Sequence, residues 1–156
     1  MKTAFDGLQE TISPAQSRDF KSTTLDHVRN SALDIESQLA RKRSLRHMRR
    51  LAPLFKGLEH YSKALDVLCN GTPYMPWIWA PITLVLQVAS EYTDAFERII
   101  KGYSRIGTAL LRFGILHDAF VHDQGFQQAL AVFYADILEF HKHAYQFVTR
   151  SGTFLN

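Results

Sequence analysis

An all-α fold, a bundle of four to five long antiparallel helices, is what the sequence predicts. Apolar residues recur at three- and four-residue spacing along most of the chain, which is the period of one helix face. No stretch between turn signals alternates apolar and polar in the two-residue rhythm of a half-buried strand. The connections between periodic segments are short, as in bundles. At 156 residues the chain suits one domain around one core. Its 46% apolar and 21% charged content excludes a disordered or collagen-like polymer.

Taken in order, Lys2 to Ile12 forms a short amphipathic helix through Phe5, Leu8 and Ile12, closed by Ser13 and Pro14. After a polar stretch, Thr24 is placed to cap a helix from Leu25 to about Arg43, with Leu25, Val28, Ala32, Ile35 and Leu39 on its inner side. The next stripe, within Ser44 to Cys69, is Met48, Leu51, Leu54, Phe55, Leu58, Tyr61, Leu65 and Leu68. Pro53 either kinks that helix or stands in the first turn of one that begins near Leu51. Asn70-Gly71-Thr72-Pro73 is a stop signal, and Pro76 suits the first turn of a new helix. From there the pattern Ile82, Val85, Leu86, Ala89, Tyr92, Phe96, Ile99, Ile100, Tyr103, Ile106 and Leu110 predicts one helix approaching ~50 Å. Its first half is apolar on nearly all sides and is expected to be the more buried. Gly102 and Gly107 weaken its far half, and Gly114 is expected to end or bend it. A short piece from Ile115 to Phe120 then leads into a last helix, Phe126 to Thr149, with Phe126, Leu130, Phe133, Ile137, Phe140, Ala144 and Phe147 in its stripe. The organisation expected is a short N-terminal helix and polar linker over 1–22, the bundle over 23–150 and a flexible tail over 151–156.

The net charge of +3 conceals a concentration of cations. Arg41, Lys42, Arg43, Arg46, Arg49 and Arg50 fall within ten residues without an acid, and the rest of the chain is net negative. Such a stretch suits an anionic membrane surface, an acidic protein face or a solvated helix face linking helices. Nucleic acid is the weakest match, because Leu45, His47 and Met48 supply no aromatic platform between the charges. The N-terminus lacks the apolar run of a secretory signal, and the lone Cys69 makes no internal disulfide, so a cytoplasmic location is expected, with peripheral membrane contact through the basic stretch. Trp77 and Trp79 beside Pro73, Pro76 and Pro81 concentrate rigid apolar surface. They read either as a plug at one end of the bundle or as an edge for a partner or lipid.

No constellation commits to catalysis. Gly102 to Gly107 has the two-glycine spacing of a phosphate loop but lacks the Lys-Ser/Thr that holds phosphate and Mg²⁺. Cys69 precedes a helix C-terminal turn, whose dipole disfavours a thiolate. Glu139 with His143, and Asp118 with His122, have a workable two-ligand spacing, yet neither pair makes a metal site by itself. Asp136 and Glu139 read as solvated acids on the outward side of the last helix. The expectation is a protein with no catalytic residues, no cofactor and no metal.

Several separated pieces resemble a known family. These are Trp79-Ala80-Pro81-Ile82 leading to Gln87-Val88-Ala89-Ser90, then Tyr103, Ile106 and Gly107, then Tyr134 and Asp136 to His141. Together they resemble the helical N-terminal domain of fungal STAND (NACHT-type, NLR-like) proteins, a domain of unknown function related to the Goodbye and HeLo-like domains. The resemblance spans roughly Arg49 to Arg150. It implies a non-enzymatic interaction or signalling module that binds itself or a related domain. A membrane-active cell-death effector that binds anionic lipid is the alternative it implies. Relatives of that kind continue into an NTPase, so the nucleotide switch is expected to be absent from this sequence.

Overall fold

The computed structural model describes residues 2–43, 50–69 and 75–154. Among the described residues the regular elements are all helical. They are α1 (Lys2–Thr11), α2 (Pro14–Ser17), a 3₁₀ turn (Phe20–Ser22), α3 (Leu25–Arg43), α4 (Ala52–Cys69), α5 (Pro76–Ala89), α6 (Thr93–Phe120) and α7 (Gln124–Phe154). Local chemistry explains several boundaries. The Ser13 hydroxyl accepts from the Gln16 amide ahead of α2, and Thr24 accepts from the His27 amide at 3.2 Å to cap α3. Pro53 stands at the second position of α4, where its missing N–H leaves no hydrogen bond unmade. Asp123 caps α7 by accepting from the Phe126 amide at 2.8 Å.

The single long helix expected from Pro76 onward is two helices. The Ser90 hydroxyl donates back to the Gln87 carbonyl, and Tyr92 is extended at φ −129° and ψ 111° before α6 begins. The apolar rhythm hides this break because both helices bury a face, and the phase carries across the turn. Gly102, Gly107 and Gly114, by contrast, end nothing: α6 runs through all three to Phe120. Close packing is the reason. A Cβ on Gly107 would lie 2.8 Å from the Leu54 backbone, and one on Gly57 would lie 2.6 Å from the Leu110 Cβ. The backbones of α4 and α6 therefore approach where only glycine fits. The last helix is also longer than the stripe predicts, with its backbone helical to Phe154.

Ring contacts establish how the helices run. Phe120 meets Phe126, Phe113 meets Phe133 and Tyr103 meets Phe140, so α6 and α7 are antiparallel. Along α4 the order is different. Arg50 meets Glu97, Leu54 meets Gly107 and His60 meets Gly114, so α4 and α6 run in the same direction with α5 as the return between them. Likewise Val28 of α3 lies beside Ala80 and Leu84, and Leu39 beside Ser90, so α3 and α5 are parallel. Some of the closest packing joins helices two apart in sequence.

One core joins the long helices. It takes Leu8 and Ile12 from the N-terminal segment, Leu54, Phe55, Leu58 and Tyr61 from α4, and Ile78, Ile82, Val85 and Leu86 from α5. Phe96, Ile100, Tyr103 and Leu110 come from α6, with Leu130, Tyr134, Ile137, Leu138 and Val148 from α7. Phe20, in the stretch expected as a polar linker, is buried in the same core.

Candidate functional site

The basic stretch is divided by the fold. Arg41 is exposed near the C-terminal end of α3, where a cation also complements the helix dipole. Lys42 and Arg43 have helical backbone, but their side chains lie outside the described residues, as do Arg46 and Arg49 altogether. Arg50 is not part of a free anion-binding face. Its Nη2 lies 2.9 Å from both carboxylate oxygens of Glu97, fastening the residue ahead of α4 to α6. The pair is about one-third exposed on each side, so it is only partly screened by water.

Beside it stands a residue that periodicity did not single out. Glu36 is 1% exposed in the middle of the inner side of α3, and neither carboxylate oxygen has a hydrogen-bond partner. Burial pushes its pKa up, and the Arg50 charge offsets part of that rise. The amides of Leu51 and Arg50 lie near enough to help without closing a hydrogen bond, while Glu97 adds to the rise. The sequence signal that was available is that Ala32, Glu36 and Leu39 are four and three apart, on one helix face.

Trp77 and Trp79 form no open edge in the folded chain. Trp77 is 4% exposed, with Phe5 and Phe20 edge-on to it at ring distances of 5.1 and 4.9 Å. Trp79 is half-buried, and its indole N–H donates to the Thr23 carbonyl at 2.9 Å. The two rings fasten α1 and the 3₁₀ turn to α5, because an indole offers a large apolar body and one donor to satisfy.

A second buried polar group joins α5, α6 and α7. His141 is fully buried, with Nε2 2.7 Å from the Ile78 carbonyl and Nδ1 3.0 Å from the Tyr103 hydroxyl. A carbonyl only accepts, so Nε2 carries the proton and Nδ1 accepts from the tyrosine. Burial pushes the imidazole down to about 4, against a smaller opposing effect of the Ile78 hydrogen bond. Burial likewise raises the Tyr103 hydroxyl far above its ordinary value. Both groups are neutral, hydrogen-bonded to each other and closed off from solvent, which makes the cluster a structural node of the core.

Among the described residues no three His, Cys, Asp or Glu side chains gather as a metal site. His143 lies 3.9 Å from Glu139 on the surface of α7, and Asp118 and His122 are exposed. No helix of the described chain is long and apolar enough to cross a membrane. What the surface does carry is apolar. Ile115 is 81% exposed and Val132 61%, with Leu116 and Phe120 nearly half exposed. The antiparallel register sets Val132 level with Gly114 and Ile115, so all four belong to the end of the bundle where α6 turns into α7.

The family model of a domain of unknown function, DUF7708, matches residues 49–154. The chain belongs to the DUF7708 family. Neither the curated proteins nor the solved structures contain a match. Within this chain the DUF7708 segment takes in α4 to α7, and with them His141, Tyr103, the tryptophans and the exposed apolar end. Helices α1 to α3 precede the segment yet share its core, with Leu8, Phe20 and Val28 buried against it.

Proposed function

We propose that this DUF7708 chain is a non-enzymatic helical interaction domain that works by self-association or by binding a protein partner. The observation that carries the reading is the exposed apolar end formed by Ile115, Leu116, Phe120 and Val132. Scattered single apolar residues are ordinary on a surface, but several large ones at one end of a bundle favour association. The resemblance to fungal STAND N-terminal domains extends the proposal to a signalling module associated with a NACHT-type switch. Arg41, exposed at the end of α3, favours anionic lipid or an acidic protein as a further contact of that module.

The test is solution mass across a concentration series, with liposome co-sedimentation run alongside. Self-association that rises with concentration and is lost in Ile115→Glu and Val132→Glu is the expected result. A monomer at every concentration, together with no retention of anionic liposomes, would remove both contacts. Salt-sensitive liposome binding that survives the two Glu substitutions would shift the interaction surface from the apolar end to the basic stretch.

A further inference from the structure

Helix α3 packs on α5 along a flawed seam. Among its described residues Val28, Ala32, Glu36 and Leu39 are buried, with Leu25, Leu33 and Ile35 partly buried against the core, so a carboxylate interrupts the apolar stripe. The cation beside that carboxylate, Arg50, places Nη2 on both oxygens of Glu97 and leaves its buried Nε–H without a partner. Across the seam on α5, the Thr83 hydroxyl is buried without a partner. The seam is also grooved at its surface. A groove of about 490 Å³ runs between Val28 and Ser31 on one side and Ala80, Thr83 and Leu84 on the other. A second hollow of about 300 Å³ lies between Leu39 and the Ser90–Glu91 turn. Protein interiors ordinarily satisfy their polar groups, and this seam does not.

The two ends of α3 differ. Its N-terminal end is fastened, since Phe20 is buried edge-on to Trp77, the Thr23 carbonyl accepts from Trp79, and Thr24 caps the helix. Its second half is where Glu36 is unpaired. By contrast, α4 and α6 touch so closely that a single methyl on Gly57 or Gly107 has no room.

We propose that α3 is a hinged strap, pivoting about the fastened Phe20–Thr24 turn and lifting from α5 while α4 to α7 stay folded. Lifting returns the Glu36 carboxylate to water and bares the Ala80, Thr83 and Leu84 edge of α5. Glu36 opposes closure, because closing strips its water without supplying a hydrogen bond. Val28, Ala32 and Leu39 favour closure through the apolar surface they bury. The proposal is separate from the interaction reading above, since a strap can open in a chain that never associates.

Hydrogen exchange of the full chain, read by mass spectrometry at neutral pH, tests it. Amides of α3 are expected to exchange at least about tenfold faster than those of α6 and α7, through an opening that denaturant hardly accelerates. Equal protection in α3 and α6 would show that the chain opens only as a whole and would overturn the strap. Glu36→Leu is expected to raise α3 protection about tenfold. Should that variant misfold, Glu36→Gln removes the charge at nearly constant shape, with the same expected direction. Unchanged or reduced α3 protection in the folded variant would overturn the role given to Glu36.

Discussion

His141 on α7 and Glu36 on α3 are both nearly inaccessible, at 0% and 1% exposure, but their surroundings differ. Around His141 every polar atom has a partner: Nε2–H donates to Ile78, and Nδ1 accepts from Tyr103, in a site walled by aromatic rings. Around Glu36, Arg50 has its Nη2 on Glu97, and neither carboxylate oxygen has a hydrogen-bond partner. Burial alone therefore does not say whether a polar group strengthens a fold. What decides it is whether the partners that replace water are present and free.

The same substitution at both positions breaks the comparison most directly. His141→Leu removes both hydrogen bonds and leaves the buried Tyr103 hydroxyl without its partner, so a loss of about 4 kcal/mol in unfolding free energy is expected from urea titration. A loss below about 1 kcal/mol would mean that the node adds little.

Acid sharpens the contrast. The folded imidazole titrates at about 4 and the unfolded one at its ordinary 6.5, so between those values the unfolded chain binds the proton more readily. The contribution of His141 is thus complete above pH 6.5 and lost as pH falls through about 4, an effect of about 3 kcal/mol. Unfolding midpoints at descending pH should fall in the native chain and stay flatter in His141→Leu. Glu36 works in the opposite sense, since its raised pKa makes the docked state the better proton binder as pH drops. Arg50 and Glu97, the charged groups that face it, set how far that gain extends.

The smallest effect is expected at the other node. Glu36→Leu exchanges an unpaired buried carboxylate for an apolar side chain and should stabilise the chain by about 1 kcal/mol in the same titration. A destabilisation of similar size would show that the Arg50 charge compensates Glu36 after all.

Much of the fold was legible in the sequence because helices announce themselves through periodicity and caps. Leu25 to Arg43 is helical over its expected span, with Thr24 at its start, and α4 begins where Pro53 is harmless. The break at Ser90 to Tyr92 was not legible, because two consecutive helices that each bury a face keep one rhythm. Nor were the uses of Gly57, which drew no reading, and Gly107, which looks like a weak point until a second backbone is seen against it. The basic stretch was visible as charge, but linear spacing could not reveal that Glu97, 47 residues away from Arg50, claims that cation.

Local physics, which residue alternates with which and where a proline or a cap falls, was enough for the sequence to determine an all-helical chain and most of its helix boundaries. Only the tertiary structure decided which buried polar groups are satisfied, that Trp77 and Trp79 fasten the N-terminal helices, and that apolar side chains are left bare where α6 meets α7. Each of these depends on pairs far apart in the chain, and a hydrogen bond or a ring contact exists only once both partners have been brought together.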